Sequence, residues 1–478
     1  MAININQSRT TAFFFIFVSF FYIGCKKFVQ ISPPSTQIVT ASVFSDNNAA
    51  TAALTNIYSS MRSESWNMSQ NAGLLSDELQ TPSSSEQVQP YYLNALLPTM
   101  TASFLGPWVS GYNYIYQANA IIYGVKASTA ISPPIQKQLT GEAKFIRAFW
   151  YFYLVNCYGD VPLVLSTDYT INSTLSRSPR AEVYQQMIKD LKDAKNLLNN
   201  NYVDESDTAT STERIRPNKS AASALLARVY LFSGDYPDAE IESGIVLSNS
   251  EYELVQDLNE VFLMNSPEAI WQLAVPTPAT FSTVDGYNFI LAAAPAVGAA
   301  STQTVTISTQ LWNSFEPLDQ RKVSWIGSIN TTGPDTTFYF PFKYKSNSLP
   351  VSEYTMMLRL AEQYLIHAEA LVRQNKNLDL AVADINTIRK RAGLGDYTGP
   401  TDKDSLLTGI LHERQVELFS EWGHRWFDLI RTGNINPVMG IVTPEKGGGA
   451  WQPGKALFPI PQSERMIDFN LTQNEGYQ

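Results

Sequence analysis

A chain of 478 residues with 44 acidic and 34 basic side chains, net charge −10, lacks the basic footprint of a nucleic-acid binder. Its 44% hydrophobic and 12% aromatic content supplies a large core and leaves rings over for surfaces. With two cysteines, the fold must be held by packing and not by a disulfide framework.

Residues 1–11 are polar and carry one base, Arg9, and residues 12–23 run apolar with Ser19 as the single polar position. A run of that length suits a secretory signal and falls short of the roughly 20 residues of a spanning helix. Gly24 then precedes Cys25. A signal that ends at Gly-Cys resembles a bacterial lipoprotein signal, with Cys25 as the nucleophile that takes up a diacylglycerol group. A plain cleaved signal and an uncleaved anchor are the alternatives. Each buried acyl methylene contributes about 0.8 kcal/mol, so two or more chains hold a protein to a bilayer.

Residues 26–40 contain Pro33-Pro34 and read as an extended tether. The stretch 45–61 reads as a helix, with Ala49, Ala53, Ile57 and Met61 at four-residue spacing. A long loop follows over 81–107, with four prolines and the pair Tyr91-Tyr92. WVSGYNYIYQANAIIYGV (108–125) is a second helix. GEAKFIRAFWYFYLVNCYGDVPLV (141–164) is apolar all round from Phe145 to Val155, which predicts a buried helix ended by Gly159 and Pro162. Cys157 lies in it and is expected to be buried and inert. Residues 181–198 are amphipathic, and 199–213 form a polar loop.

The segment 219–247 places Ala224, Ala227 and Tyr230 before Gly234-Asp235-Tyr236 and Ala239. Small residues allow close helix approach and Gly supplies the turn, as in the helical hairpin of tetratricopeptide repeats. Residues 357–393 repeat this layout with Ala361, Tyr364, Ala368, Ala381 and Ile385. Between these segments, residues 265–352 are rich in Thr, Ser, Pro, Gly and aromatics; 270–275 and 338–345 read as short strands and the rest as loop. An aromatic loop region on a helical scaffold can build a binding surface.

LHERQVELFSEWGHRWFDLIRTG (411–433) carries His412, Glu413, Glu417, Glu421, His424 and Asp428. Val416 stands where a zincin would have its second His. On one straight helix the two histidines would lie about 18 Å apart, too far to share a metal. The structural reading is an apolar stripe of Val416, Phe419, Trp422, Trp426 and Ile430, with helix-spaced ion pairs Arg414–Glu417 and Glu421–Arg425.

ERQVELFSEWGHRWFDLIRTG resembles the C-terminal signature of the SusD/RagB family, outer-membrane lipoproteins of Bacteroidetes. The resemblance extends through Cys25, WVSGYNYIYQANAII, RPNKSAASALLARVYLFSGDYPDA, RLAEQYLIHAEA, INTIRKRAGL and the ending LFPIPQSERMIDFNLTQNEGY. It implies a mainly α SusD-like fold, with tetratricopeptide-like helical hairpins and a loop-rich lobe with short strands. It also implies a signal peptide at 1–24, a helical N-terminal region at 25–250 and a C-terminal region at 251–478 with the 265–352 insertion, as one integrated globular unit. The implied function is capture of a nutrient, most simply an oligo- or polysaccharide, with peptide as the other option, for a SusC-like TonB-dependent transporter. The implied location is the outer membrane, lipid-anchored and facing the exterior. No enzyme activity, cofactor or metal is implied. A tetratricopeptide-like adaptor for a protein ligand and a glycan-processing enzyme are the competing readings.

A glycan site needs flat rings for sugar faces and a few polar groups for hydroxyls. Family motifs do not cover such positions, so the candidates come from placement in loops: Trp66, Tyr91 and Tyr92 with Asp77 and Glu78, and Phe281, Tyr287, Trp312 and Trp325 in the insertion. Asp77-Glu78 does not suit a glycosidase pair, because adjacent residues do not flank a scissile bond from opposite sides.

Overall fold

The structure, a computed structural model, describes residues 43–295, 297, 303–331 and 337–478. The signal, Cys25 and the 26–40 tether lie outside the described residues. Helix α1 (Asn47–Leu75) begins where the Asp46 carboxylate accepts the Ala49 N–H at 2.9 Å. It continues past the expected end at residue 61 because nothing in RSESWNMSQNAGLL breaks a helix. Its fully buried stripe is Ala50, Leu54, Ile57 and Met61, so Ala49 and Ala53 sit one position off the core-facing line. At its end the Lys446 ammonium donates to the carbonyls of Leu74 at 2.7 Å, Leu75 at 3.1 Å and Ser76, closing orphan acceptors with a side chain from far along the chain.

The helical array follows as α2 (Trp108–Ala127), α3 (Pro133–Tyr158), α4 (Arg180–Leu197), α5 (Lys219–Ser233), α6 (Tyr236–Leu247), α7 (Leu360–Arg373) and α8 (Leu378–Arg391). Each packs on the next, including α6 on α7, which the insertion separates in sequence. The small residues act as their spacing predicts: Ala224, Ala227, Ala239, Ala361, Ala368 and Ala381 are fully buried at helix contacts. Gly234 turns α5 into α6 at φ +85°. In α3 every residue from Phe145 to Tyr158 is buried, Cys157 included. Arg147 is tolerated there because Asp190 takes its guanidinium twice, at 2.8 and 2.6 Å, and Asn119 once, at 2.7 Å.

The insertion is closed at its base by strands β2 (Ala269–Leu273) and β6 (Thr355–Arg359), antiparallel with Leu273 opposite Thr355. Two smaller antiparallel pairs lie outside that base: β1 (Leu79–Gln80) with β3 (Thr306–Ile307), and β4 (Ile326–Asn330) with β5 (Thr337–Pro341). The expected strands at 270–275 and 338–345 correspond to β2 and β5. The start expected for a helix at 357 is instead the end of β6, from which α7 leaves directly. Among the described residues no helix is long and apolar enough to cross a membrane.

The stretch 411–433 is not one helix. It divides into α9 (Lys403–Leu418) and α10 (His424–Arg431), with Ser420, Trp422 and Gly423 at positive φ between them. A Cβ at Gly423 would stand 2.6 Å from the Ala72 Cβ on α1, so the close approach of α10 to α1 requires glycine there. The pairs Arg414–Glu417 and Glu421–Arg425 are therefore absent, and these charges find partners elsewhere. Arg414 binds Asp428 at 2.7 Å. Arg425 binds Asp77 at 2.8 and 2.7 Å. Glu421 takes Lys343 at 2.5 Å and Arg359 at 2.8 Å.

Glu417 is the centre of this arrangement. It is fully buried and receives Arg359 at 2.6 Å, Arg321 at 3.1 Å and Arg391. Arg321 also holds Glu413 at 2.5 Å and Asp319 at 2.8 Å, and Arg359 also holds Glu268 at 2.9 Å. Burial alone would raise the Glu417 carboxyl, but Arg391, Arg359 and Arg321 outweigh it and hold the group far below its ordinary value. Trp325 lies under this cluster with no exposed surface, its indole N–H donating to the Leu258 carbonyl at 2.8 Å and its ring 4.7 Å from the Lys343 ammonium. It cannot offer a face to a sugar, which corrects its assignment as a ligand contact. Glu417→Ala should lower stability by about 3–5 kcal/mol, because three guanidinium groups lose their shared buried partner. Glu417→Asp should recover little of this, since the shorter arm cannot reach all three, and thermal melts of the two variants check it.

Asp77 and Glu78 also belong to this interior. Asp77 is paired with Arg425, and Glu78 is 1% exposed with one carboxylate oxygen that lacks a partner among the described residues. Burial, and then the neighbouring Asp77, push Glu78 up to about 8 from an ordinary 4.5. The folded protein thus holds a proton that the unfolded chain releases. That stabilisation is complete below about pH 4.5 and is lost as pH rises to about 8. Glu78→Gln removes the titration, so its melting temperature relative to wild type should climb between pH 5 and 9. A flat difference across that range would show that Glu78 ionises normally.

Candidate functional site

A cleft of about 600 Å³ opens beside the middle of α1. Glu64, Asn67 and Asn71 recur at three- and four-residue steps and share one helix face, with Trp66 and Gln70 beside them. The loop 81–107 supplies Ser85, Gln87 and Phe104; the first turns of α2 supply Val109, Ser110 and Asn113; the insertion supplies Thr304.

The serine run in TPSSSEQ shapes the loop. The hydroxyls of Thr81, Ser83 and Ser85 accept the backbone N–H groups of Ser83, Ser85 and Gln87, at 3.1, 3.2 and 3.2 Å. These consecutive two-residue turns carry Gln87 to the rim of the cleft. Thr81 also donates to the Thr304 carbonyl at 2.6 Å, which ties the loop to the insertion. The other limb is held by Tyr91, fully buried, whose hydroxyl donates to the Phe104 carbonyl at 2.6 Å and whose ring meets Phe458 edge-on.

Trp66 is 8% exposed and packs edge-to-face on Phe289, ring centres 4.6 Å apart. The short helix Val284–Phe289 that brings Phe289 is pinned to α1 by the Ser65 hydroxyl donating to Asp285 at 2.9 Å. Burial pushes the Asp285 carboxyl up to about 7. Glu64 is 9% exposed, and its two oxygens receive long contacts from Asn67 and Tyr114, both at 3.4 Å. Burial raises its carboxyl, and the contacts with Asn67, Ser110 and Tyr114 partly oppose this. Among the described residues, the side-chain amides of Gln70, Asn71, Gln87 and Asn113 have no hydrogen-bond partner in the protein. An aromatic wall with free amides, hydroxyls and a weakly bonded carboxyl can hold a polyhydroxylated ligand by its ring faces and its hydroxyls.

Of the ring and acid residues expected from sequence to contact ligand, Trp66 lines this cleft. Tyr91 positions the loop from the core, and Tyr92 is half-buried with the Lys446 ammonium 5.6 Å from its ring centre. Phe281 and Tyr287 stack on each other at 4.6 Å, with Tyr287 exposed, and form a separate pair outside the cleft lining. Trp312 is engaged by Tyr339, ring centres 4.0 Å apart, and by the Lys322 ammonium at 3.9 Å. Asp77, Glu78 and Trp325 are in the interior. The amides and Glu64 were not anticipated; for Glu64, Gln70 and Asn71 the signal is the polar run SESWNMSQN within a long helix, while Gln87 and Asn113 carry none.

Two family models match the chain, one described as starch-binding and associating with the outer membrane, over residues 27–231, and one described as the SusD family, over 327–477. SusD-like protein P25 of Formosa agariphila is 25% identical, covering 97% of this chain and 98% of its own. The starch-binding protein SusD of Bacteroides thetaiotaomicron is 24% identical over 70% of this chain and 72% of its own. Among solved structures, a SusD superfamily protein from Bacteroides vulgatus superposes with TM-score 0.76 at 22% identity, covering 91% of this chain and all of that one. A laminarin-binding SusD-like protein superposes with TM-score 0.73 at 24% identity, covering 90% of this chain and all of that one. The mainly helical fold is thus shared over about nine tenths of the chain by these solved structures, and, with family models matching both its N-terminal and C-terminal parts, the chain belongs to the SusD/RagB family.

Proposed function

We propose that this protein captures a glycan in the cleft at Trp66 and delivers it to a SusC-like TonB-dependent transporter of the outer membrane, to which it is held by a lipid on Cys25, facing the exterior. The observation that carries the reading is the set of unpartnered side-chain amides gathered around an aromatic wall in one cleft. Starch and laminarin are named for similar proteins, and both are polyhydroxylated polymers whose ring faces and hydroxyls such a surface can meet. Binding without turnover fits the same geometry, because Glu64 is the single acid among the lining residues and no second carboxylate faces it across the cleft. The helical array leaves a second surface for the transporter.

Isothermal titration of the purified protein with a polysaccharide panel tests capture. Gln87→Ala and Asn113→Ala should each weaken binding about five- to tenfold, the worth of about 1 kcal/mol for one hydrogen bond, with the melting temperature unchanged because both residues are exposed. Unaltered affinity in both variants would remove the cleft from the site. Extraction of native membranes in mild detergent should bring down a β-barrel transporter with the protein, and a Cys25→Ala chain should be released from the membrane fraction.

A further inference from the structure

The cleft contains one acid and no base among its lining residues. The sequence around it has the same character: residues 81–113 carry Glu86 as their single charge, and residues 286–295 and 303–315 carry none. No lysine or arginine side chain in those segments can swing in to meet a negative ligand. At the base of the cleft Glu64 is nearly buried, and both of its oxygens make contacts of 3.4 Å, beyond ordinary hydrogen-bond length. Its lone pairs remain available to hydroxyl donors from a ligand.

We infer that the cleft selects neutral glycans and rejects uronate and sulfated ones, with Glu64 accepting hydroxyl protons of the bound sugar. This rests on the glycan reading above and adds the chemical class. A neutral sugar supplies hydroxyl donors to Glu64 and matches the amides of Gln70, Asn71, Gln87 and Asn113. An anionic sugar gives up its hydration in a site with no cation to replace it, and it meets an acid there.

The test uses soluble starch and laminarin, each as the native polymer, its carboxymethyl derivative and its neutral hydroxyethyl derivative, with alginate and dextran sulfate alongside, titrated at low salt. The expected result is binding of a native polymer, retention of most affinity in its hydroxyethyl form and at least a tenfold loss in its carboxymethyl form. Asn113→Lys, at the exposed rim, should narrow that gap at least fivefold, and Glu64→Gln should weaken the native polymer while narrowing the gap. Equal loss in the hydroxyethyl and carboxymethyl forms, a gap that Asn113→Lys leaves unchanged, or preferred binding of alginate or dextran sulfate overturns the charge selection and leaves glycan capture standing. Binding of no member of the panel overturns glycan capture and the selection together.

Discussion

The Glu417 carboxylate and the three guanidinium groups on it fix the relation between the insertion and the helical array. Arg359 ends β6, Arg321 comes from within the insertion, Arg391 ends α8, and Glu417 and Glu413 come from α9. None of these charges can be left in the interior without the others, because an unpaired buried ion costs several kcal/mol. The insertion is therefore seated on the helices in one way, although its helices and strands are all short. Trp325 and Phe419 provide the apolar floor, and the Lys343 ammonium is held over both, at 4.7 and 4.1 Å.

The cleft depends on that seating. Its far wall, Thr304, precedes β3, which pairs with β1 just after α1 ends. The loop 81–107 leaves β1, is shaped by its own hydroxyl turns and is tied at Tyr91. A firm framework of buried ion pairs and a short sheet thus holds a cleft in which four side-chain amides have no protein partner among the described residues. In the interior, Arg147, Arg216 and Arg228 each have carboxylate partners, whereas the amides of Gln70, Asn71, Gln87 and Asn113 have no partner among the described residues.

Two relatives of this fold are named for starch and laminarin. The proposed glycan site in the present chain rests on its own residues, Trp66 with Glu64 and four amides in one cleft. The proposed restriction on charge rests on a loop that carries one acid, Glu86, and no base over 81–113, and loops vary more than the elements they connect.

The sequence alone determined the helical hairpins, because small residues at close contacts and turn glycines act locally, as Gly234 does between α5 and α6. It determined the buried run of α3 in the same way. The partners of the charges in 411–433 were decided by tertiary structure. Local spacing offered Arg414–Glu417 and Glu421–Arg425, but the break at Ser420–Gly423 turned α10 against α1, so that Arg414 meets Asp428 across the break while Glu417, Glu421 and Arg425 find partners from distant segments. The roles of the loop aromatics were decided there too. Trp66, Tyr91 and Trp325 all stand in polar or irregular sequence, yet one lines the cleft, one anchors its loop and one lies beneath an ion cluster. Whether a ring is covered depends on which distant chain passes over it, and no pattern within its own segment records that.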